Sequence, residues 1–576
     1  MKKKFVTCIL MGMLLAINSY SQVSVDPNDN FYKDAKVWET KGIVKRLPQM
    51  RPYSIATIKK ILSEVKESES EDDIRKADFY EKKYFSKGWN IGVTVRNDLK
   101  ASTDSTKDMF SVLPQVYGDL EVFKLIGFGY KAGALVQNSS TEEKEILPSF
   151  NNSNYDTYED PMFIGKIVAN MDMAANFTIG TDSMYGMFGI NKIAFGPFLD
   201  DSVLLNGTQF HSGNFSFIYE GDKFGYSQSL TALSRGENNG TSGNLDFVPE
   251  KFMGFHNIRF SPVKQFSVSY FEACVFSNRF DPCYFLPVPY LLLQGMYAAT
   301  DNLLTGLTFD IRPFDTLSIS IAGAVDDMNL TALTKGQFDK TLKIALQAGV
   351  SYTPPVSFID MLSLNYTLVT PFTYSHCDPR TNIDDLTFAV NNAAMHNKDN
   401  FTTRLSSLGT KLPPNSDRIY FEATFTPIER LRIDFSTSFA RHANIAESFN
   451  DEEAQKYLDA NNALSTSGKK GYYATDGSVW TTGLTEPSRD YNRFLQQDHI
   501  MYVLQCAVNA EYELERMKFG SLVFSFGYMF EYIYNKGVDE NIYSSGVSVS
   551  DAKKVWVAKL HNVFNNYFSA SVKYYY

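Results

Sequence analysis

The stretch YFSASVKYYY, Tyr567 to Tyr576, ends the chain with large apolar side chains at every second position. In an extended backbone successive side chains point to opposite faces, so this stretch has one apolar and one polar face. The apolar face carries Phe568, Ala570, Val572, Tyr574 and Tyr576, and the polar face carries Ser569, Ser571 and Lys573. The last residues of a soluble domain usually fray into water, so three terminal tyrosines predict an apolar environment around this strand.

The same period of two runs through much of the chain from Trp89 onward. In WNIGVTVRNDL, the residues Ile91, Val93 and Val95 share one face, and residues 418–440 contain two alternating segments that flank a short turn. The other face is filled with Ser, Thr, Asn, Arg and Glu, which a packed core accepts only when they are paired. We therefore expect a sheet whose apolar face meets lipid and whose polar face meets water.

Four short phrases each place a proline shortly after one predicted strand and a few residues before the next. The prolines are Pro262, Pro313, Pro354 and Pro427. Because proline has no N–H to donate to a β ladder, we expect these prolines in the connections rather than in the strands. Four such turns predict hairpins that share one end of the sheet.

The connections at the other end are much longer and more polar. They comprise residues 137–160, about 376–417 and 442–499. Short turns at one end and long loops at the other are typical of an outer-membrane barrel, whose turns face the periplasm and whose loops face outside. A soluble all-β solenoid or propeller is the alternative interpretation.

The apolar runs beyond the N-terminus are too short for a helical membrane protein. The best candidate, residues 284–297, carries two prolines and falls short of the roughly 18 to 20 residues of a spanning helix. In lipid, only helices and closed barrels satisfy every backbone N–H and C=O group. Residues 89–576 suffice for about 18 strands with their connections. The predicted fold is all-β, a closed transmembrane antiparallel β-barrel of about 16–18 strands with a small N-terminal α-helical module.

The N-terminal stretch MKKKFVTCILMGMLLAINSYSQ has the form of a secretory signal peptide. Three lysines precede an apolar run, and small residues follow at Ser19 and Ser21. We expect cleavage after Ser21, which removes residues 1–21 and changes the formal net charge from −10 to −13. An acidic exported chain without a basic stripe is not expected to bind nucleic acid.

Residues 22–88 have apolar side chains at helical rather than strand spacing. Three stretches show this spacing: Phe31, Ala35 and Trp38; Ile55, Ile58, Leu62 and Val65; and Ile74, Ala77, Tyr80 and Tyr84. Gly42 follows the first stretch as a natural C-terminal cap. We expect a helical module of residues 22–88, followed by a barrel of residues 89–576.

No constellation of catalytic residues is recognisable. The seven histidines are scattered without metal-ligand spacing, and neither an HExxH nor a GxSxG motif occurs. Asp326 and Asp327 could form an acid–base pair, but we interpret them as polar residues of the loop mouth and as candidates for ligand contact. The sequence therefore predicts a protein that is not an enzyme and that uses no cofactor or metal.

Export would place the remaining cysteines in an oxidising environment. Cys274, Cys283, Cys377 and Cys506 allow three disulfide pairings, and Cys274 and Cys283 are near enough in sequence to close a loop. No CxxC spacing occurs, so a structural zinc site is not expected. The pairing stays open at this point.

One predicted loop, GYYATDGSVWTTG at residues 471–483, has the composition of a sugar-binding site. Aromatic rings stack on pyranose faces, and hydroxyl and carboxylate groups bind sugar hydroxyls. The candidate ligand-binding residues are Tyr472, Tyr473, Asp476 and Trp480. An aromatic girdle or a loop-packing cluster is the alternative interpretation.

The stretch MFGINKIAFGPFLDDSVLLNGTQ, residues 187–209, resembles the Wzi family of capsule-assembly outer-membrane barrels. The residues that carry the resemblance are Phe195, Gly196, Pro197, Leu204, Leu205 and Asn206. Downstream, a strand with Glu272, the proline-containing apolar segment at 284–293 and a strand that ends on Asp326 and Asp327 are similar to the family in order and character. The helices around GIVKRLPQMRPYS also resemble that family's N-terminal part.

The resemblance implies a barrel of about 18 strands, a periplasmic helical bundle and the binding of surface polysaccharide for capsule assembly or attachment. Its implied partners are outer-membrane lipid, the barrel-assembly machinery and that polysaccharide. The stretch from Phe31 to Leu62 also resembles an S-layer-homology module, which would suggest contact with peptidoglycan. A porin or substrate-specific channel of the outer membrane is the alternative function.

Overall fold

The computed structural model describes most of the chain between residues 26 and 576. The described ranges are 26–85, 89–138, 146–150, 162–199, 201–207, 211–238, 245–277, 279–297, 301–328, 334–336, 342–375, 399–403, 406–452, 454–455, 494–514, 520–543 and 547–576. The predicted signal peptide, residues 1–21, lies outside them, and the predicted boundaries of the helical module and barrel stay predictions.

Five α-helices are described, three of them in the helical module. They are α1 (Asn30–Thr40), α2 (Ile55–Lys66), α3 (Glu71–Phe85), α4 (Tyr290–Tyr297) and α5 (Val549–Val557). Asp29 caps α1 by accepting a hydrogen bond from the N–H of Phe31, and Ser54 caps α2 by accepting one from Thr57. The three helices predicted from apolar spacing before residue 89 are confirmed.

The described strands are numbered in chain order. They are β1 (Met50–Arg51), β2 (Asn90–Ser102), β3 (Thr106–Val122), β4 (Ile126–Asn138), β5 (Met162–Ile164), β6 (Ile167–Gly180), β7 (Met184–Asn191), β8 (Ala194–Phe195), β9 (Leu205–Asn206), β10 (Ser212–Glu220), β11 (Phe224–Asn238), β12 (Leu245–Val263), β13 (Phe266–Ser277), β14 (Asn302–Phe314), β15 (Leu317–Met328), β16 (Leu342–Tyr352), β17 (Ile359–Val369), β18 (Thr402–Thr403), β19 (Ser406–Ser407), β20 (Ser416–Ile428), β21 (Leu431–Ala443), β22 (Ile500–Glu513), β23 (Ser521–Lys536) and β24 (His561–Tyr575).

Eighteen of these strands form a closed antiparallel barrel, which confirms the predicted fold. The ring runs through β2, β3, β4, β6, β7, β10 to β17, and β20 to β24, and the short β5 pairs with β6. The terminal stretch closes it, because β24 pairs with β2 along its length and places Val572 opposite Val95. Every barrel strand therefore has a hydrogen-bonded neighbour on each side.

The outward faces of the strands are apolar, as the alternation predicts. On β24 the side chains of Phe568 and Val572 are exposed, while their inward neighbours are shielded, and Ile91 and Val95 of β2 are exposed on the same wall. The inward faces differ from the prediction of a polar, water-facing side. Many inward residues of β12 to β16 are apolar and buried, because they pack on chain segments inside the lumen.

The four proline-marked turns are hairpins at one end of the barrel, which we call the turn end; the opposite end is the loop end. Pro354 lies in a connection as expected. Pro262, Pro313 and Pro427 instead lie within the last residues of their strands, where each ladder breaks register. Such a bulge leaves a backbone N–H outside the ladder, so a proline loses no hydrogen bond there.

The helical module packs into the turn end of the barrel. Its own core contains the buried rings of Trp38 and Phe31. Buried or half-buried ion pairs tie it to inward residues of the wall: Lys33 to Glu422 (2.7 Å), Lys36 to Asp310 (3.1 Å), Lys76 to Asp360 (2.6 Å) and Asp34 to Arg432 (3.2 Å). Among the described residues, no helix is long and apolar enough to cross a bilayer.

Candidate functional site

The connection between β7 and β10 turns inward and crosses the lumen. We call its residues 192–199 and 201–207 the inner segment. Its short strand β8 pairs with β1 of the helical module and with β9, so Phe195 lies opposite both Met50 and Leu205 in a three-stranded sheet. The inner segment thereby joins the helical module to the barrel interior.

The apolar side chains of the inner segment pack against the inward face of the wall. The ring of Phe195 lies 4.8 Å from the ring of Phe255 on β12 and 5.8 Å from the ring of Phe271 on β13. Phe195 and Leu205 are fully buried, and Leu204 is nearly so. Because protein interiors are close-packed, this core leaves little room for water at the middle of the barrel.

Polar contacts fix the inner segment to the opposite side of the wall. The carboxylate of Asp201 lies 2.6 Å from the guanidinium of Arg418 on β20, and the backbone carbonyl of Asp201 accepts a hydrogen bond of 2.8 Å from Gln347 on β16. Thr410 donates its hydroxyl proton to Asp201 over 2.7 Å, and the N–H of Lys411 donates over 2.9 Å. The inner segment is therefore anchored on both sides of the lumen.

The six residues of the predicted family motif form the bend of the inner segment. Gly196 has φ +108°, a left-handed conformation that favours glycine, and Ser202 donates a hydrogen bond of 3.1 Å to the carbonyl of Phe195. The N–H of Asn206 donates to the carbonyl of Leu408 over 3.0 Å, and its side chain donates to Gly409. These contacts hold the inner segment in place.

A second segment, described at residues 399–403 and 406–412, covers the inner segment on the loop-end side. We call it the outer segment. Tyr374 links the two, since its hydroxyl donates to the carbonyl of Val203 over 2.7 Å and its ring stacks on Phe401 at 5.7 Å. The N–H of Phe401 donates to the carbonyl of Tyr374 over 2.8 Å. The lumen is thus occupied at three levels: helical module, inner segment and outer segment.

Asp326 and Asp327, interpreted from the sequence as polar residues of the loop mouth, lie at the loop end of β15. Asp326 accepts a hydrogen bond of 2.8 Å from the N–H of Tyr374, so its carboxylate orients the turn that holds the tyrosine. Asp327 follows a break in register and lies opposite Lys343 in the β15–β16 ladder. This contact of Asp326 stabilises the conformation of the chain around Tyr374.

The predicted sugar-binding residues Tyr472, Tyr473, Asp476 and Trp480 lie outside the described residues. The residues that flank the connection carrying them are described, and we call these flanking residues, which include Glu447 and His499, the rim. Glu447 contacts the His499 ring at 2.5 Å, while its carbonyl accepts a hydrogen bond of 2.7 Å from Lys553. The His499 ring also packs at 5.5 Å, edge to face, on Trp556 of α5. The candidate loop therefore leaves and re-enters the barrel at a packed position.

At the turn end, electrostatics favour the docked helical module. Burial alone would raise the pKa of Asp34, but the charges of Lys76 and Arg432 outweigh it and hold that pKa below its ordinary value. Burial alone would lower the pKa of Lys36, but the carboxylates of Asp310 and Glu39 outweigh it and hold the pKa above its ordinary value. Both groups are therefore charged at neutral pH.

A cleft of about 520 Å³ with mixed polar and apolar walls opens at the turn end between α3 and the hairpins that follow β16 and β20. Its walls carry Lys41 and Arg75 as well as Asp72 and Glu429, so both signs of charge are present. Such a surface suits a neutral polar or zwitterionic partner better than a strongly charged one. The sequence carries no signal for this cleft, because α3 and the two hairpins are about 280 and 350 residues apart in the chain.

The described part of the chain holds no cluster of three or more His, Cys, Asp or Glu side chains that could hold a metal ion. The described cysteines Cys274, Cys283 and Cys506 are thiols, so the loop closure considered for Cys274 and Cys283 does not occur here. Cys274 is buried on the outward face of β13, and its sulfur accepts a hydrogen bond of 3.3 Å from Gln294. Cys377 lies outside the described residues.

Comparison with solved structures supports the fold. The chain is similar to Wzi from Escherichia coli, described as an outer-membrane protein involved in group 1 capsule assembly and a carbohydrate-binding β-barrel. The TM-score is 0.54, the identity 10%, and the alignment covers 96% of this chain and 99% of Wzi. OprD from Pseudomonas aeruginosa aligns with a TM-score of 0.39 and 9% identity over 85% of this chain and 95% of its own. OpdL from the same organism gives 0.40 and 8% over 85% and 98%.

No protein-family model and no curated protein sequence matches the chain. At an identity of 10%, the likeness to Wzi shows a shared fold over nearly the whole length of both chains. The chain therefore has the architecture of a plugged 18-stranded outer-membrane-type barrel.

Proposed function

We propose that this protein is an outer-membrane barrel that conducts solutes poorly and binds or organises surface polysaccharide without catalysis. The observation that carries the proposal is the filled lumen, in which the helical module, the inner segment and the outer segment pack against the wall. Support also comes from the fold shared with Wzi, a carbohydrate-binding barrel. Lipid, the barrel-assembly machinery and polysaccharide are the proposed partners.

The packed lumen argues against a diffusion channel. A porin needs a continuous polar path through the barrel. Here the inward residues Met253, Phe255 and Phe271 form one apolar core with Phe195 and Leu205 of the inner segment. Where this apolar core lies, an ion would lose its hydration without finding polar partners.

The proposed sugar contacts are Tyr472, Tyr473, Asp476 and Trp480, in the loop that leaves the barrel beside the rim. Asp326 and Asp327, at the loop mouth, are proposed as a second polar contact for the glycan. Aromatic stacking combined with hydroxyl and carboxylate hydrogen bonds is the chemistry that recognises a sugar without modifying it. A contact between peptidoglycan and the turn-end cleft is proposed for the helical module.

Glycan binding can be tested with the refolded full chain on a glycan array and in a pull-down with surface polysaccharide from the native host. The double variant Tyr472→Ala/Trp480→Ala should lose most of the binding. Tyr155→Ala/Tyr158→Ala is the matched control, because it removes two aromatic residues from another predicted loop. Equal loss in both variants, or binding that survives deletion of residues 471–483, would contradict the proposed contacts.

Single-channel recording in a planar bilayer separates the proposal from a porin. The wild-type chain should show little conductance at low voltage. A variant that lacks the apolar bend of the inner segment, residues 195–205, should show a clear rise. Large, steady wild-type conductance would favour a channel and overturn the proposal.

A further inference from the structure

The connection between β13 and β14 lies against the outside of the barrel. We call its residues 279–297 the flap. The ring of Phe285 packs at 4.9 Å on the ring of Phe215, an outward-facing residue of β10. Gln228, on the outward face of β11, donates a hydrogen bond of 3.2 Å to the carbonyl of Leu286. The flap therefore covers part of the wall that the barrel presents to hydrocarbon.

Two tyrosines pin the flap in place. The N–H of Tyr290 donates to Glu272 over 2.5 Å, and the Tyr290 ring packs at 4.1 Å on His256. His256 and Glu272 lie opposite each other on β12 and β13, 3.0 Å apart, and the flap seals this outward-facing polar pair. Tyr284 donates its hydroxyl proton to Asp301 over 2.6 Å. Because uncovered polar groups are costly in lipid, these contacts hold the flap firmly.

The edge of the flap forms one wall of an apolar groove of about 700 Å³. Its floor is made of small residues on neighbouring strands, Ala175, Gly189, Gly213 and Ala232. Phenylalanines rise on both sides, including Phe188 and Phe215 on the barrel and Phe280 and Phe285 on the flap. The volume is within the range of about 300 to 1,000 Å³ that small-ligand sites occupy.

The position of the groove indicates its occupant. Phe188 at one side is 63% exposed, and the residues that flank the groove belong to the apolar outer wall. Gly213 precedes Glu220, at the turn end of β10, by seven residues. A membrane-crossing strand takes about 9 to 11 residues, so the floor lies in the half of the wall nearer the loop end.

We infer that this groove binds one acyl chain of a membrane lipid from the leaflet on the loop side. The lining offers almost only carbon, which suits a hydrocarbon tail and excludes a polar ligand. The nearest flap cation, Arg279, is engaged by Asp301 and does not serve a lipid head group. The site therefore selects the tail by shape, and the flap's own exposed Leu291, Leu292 and Met296 lie in the same hydrocarbon.

The structure offers a variant that fills the groove without straining the barrel. A Cβ at Gly213 would meet only the Cβ of Ala232, at 3.8 Å, so Gly213→Leu places its side chain in the groove. Gly186 is the matched control. It is an outward-facing glycine of β7 whose nearest neighbours to a Cβ lie at 3.8 Å and 3.9 Å, and it does not line the groove.

The test is photo-crosslinking of the full chain in phosphatidylethanolamine and phosphatidylglycerol vesicles that contain a phospholipid with a diazirine in one acyl chain. Peptide mass spectrometry should find labelling around Phe215 and Phe280 several-fold above that around Phe526, an exposed outward residue of β23. Gly213→Leu should lower the groove labelling several-fold, and Gly186→Leu should leave it unchanged. Heat-modified gel mobility verifies that both variants are folded.

Three outcomes would overturn the inference. They are equal labelling of Phe215 and Phe526, groove labelling that Gly213→Leu does not reduce, and a protein–protein crosslink through the flap in place of the lipid adduct. The last outcome would assign the groove to a second copy of the chain. None of them bears on glycan binding, which has its own assay.

Discussion

The carboxylate of Asp201 in the inner segment lies 2.6 Å from the guanidinium of Arg418 on β20, although 217 positions separate the two residues in the chain. Both side chains are nearly buried, at 7% and 12% exposure. This pair joins the inner segment to the wall, away from the aromatic contacts of Phe195. Breaking this pair is therefore a way to measure how strongly the inner segment stabilises the barrel.

Asp201→Asn should destabilise the protein, because it leaves the buried guanidinium of Arg418 without its counter-charge. We expect the free energy of unfolding to fall by about 3 to 5 kcal/mol. Urea titration of the protein in lipid vesicles, followed by gel mobility, measures this. The control is Lys554→Ala, which breaks an exposed pair with Asp551 and should leave the unfolding midpoint almost unchanged. Similar effects of both changes would contradict a buried anchoring pair.

A charge on the outer wall should be costly according to its depth. Phe568 lies halfway along β24 and faces outward, so Phe568→Lys should cost about 2 to 4 kcal/mol. Ile91 is also outward-facing but lies at the turn end of β2, so Ile91→Lys should cost about 0 to 1 kcal/mol. The same vesicle titration checks both values. Equal costs would argue against the expected position of the bilayer around the barrel.

Docking of the helical module should weaken in acid. The pKa of Asp34 is below its ordinary value of 3.8 in the folded protein. The Asp34 carboxylate therefore stabilises the docked module above pH 3.8, and this stabilisation is lost as the pH falls through the lowered pKa. The protection factors of the α1 and α3 amides, which correct exchange rates for their intrinsic pH dependence, should therefore fall below about pH 4, and Asp34→Asn should reduce this fall. If the variant lost protection in acid as strongly as the wild type, other carboxylates would be responsible for the acid dependence.

The same module should also loosen in strong base. The pKa of Lys36 is raised above its ordinary value of 10.5 in the folded protein. The charged Lys36 therefore stabilises the docked module fully below pH 10.5, and this stabilisation is lost as the pH rises through the raised pKa. Lys36→Met removes the charge and should abolish the fall in the protection factors of the α1 amides above about pH 10.5. Lys82→Met is the control, since Lys82 is an exposed lysine of α3. If Lys36→Met still lost α1 protection in strong base, the alkaline dependence would not come from Lys36.

Gly254 should be required for the seated flap. A Cβ at this position would lie 2.9 Å from the Cβ of Tyr284 and 3.0 Å from its carbonyl oxygen, so Gly254→Ala forces the flap outward. Limited proteolysis should then cut within residues 279–297 several-fold faster. Gly323→Ala is the control, because its Cβ would meet only a Leu346 methyl at an ordinary 3.5 Å. Equal cleavage of the two variants would show that the flap is not held through Tyr284.

Local periodicity was enough to predict the barrel strands, the hairpin turns and the three N-terminal helices. Val572 and Phe568 face outward because their spacing requires it, and α1 to α3 begin and end where caps and apolar spacing change. The six motif residues of the inner segment were recognisable as a group. Their position inside the lumen was not, because nothing in their spacing indicates which surface will cover them.

The sequence by itself determined that the sheet has an apolar outer face and that its last strand is amphipathic, since side-chain alternation is a property of each strand alone. Only the tertiary structure decided that distant chain segments pack inside the barrel and that the flap covers part of its outer wall. Both results depend on which distant segments meet, as Asp201 meets Arg418 and Tyr290 meets His256. Such meetings follow from barrel closure, which fixes the distances across the lumen and around the wall only once all 18 strands have paired.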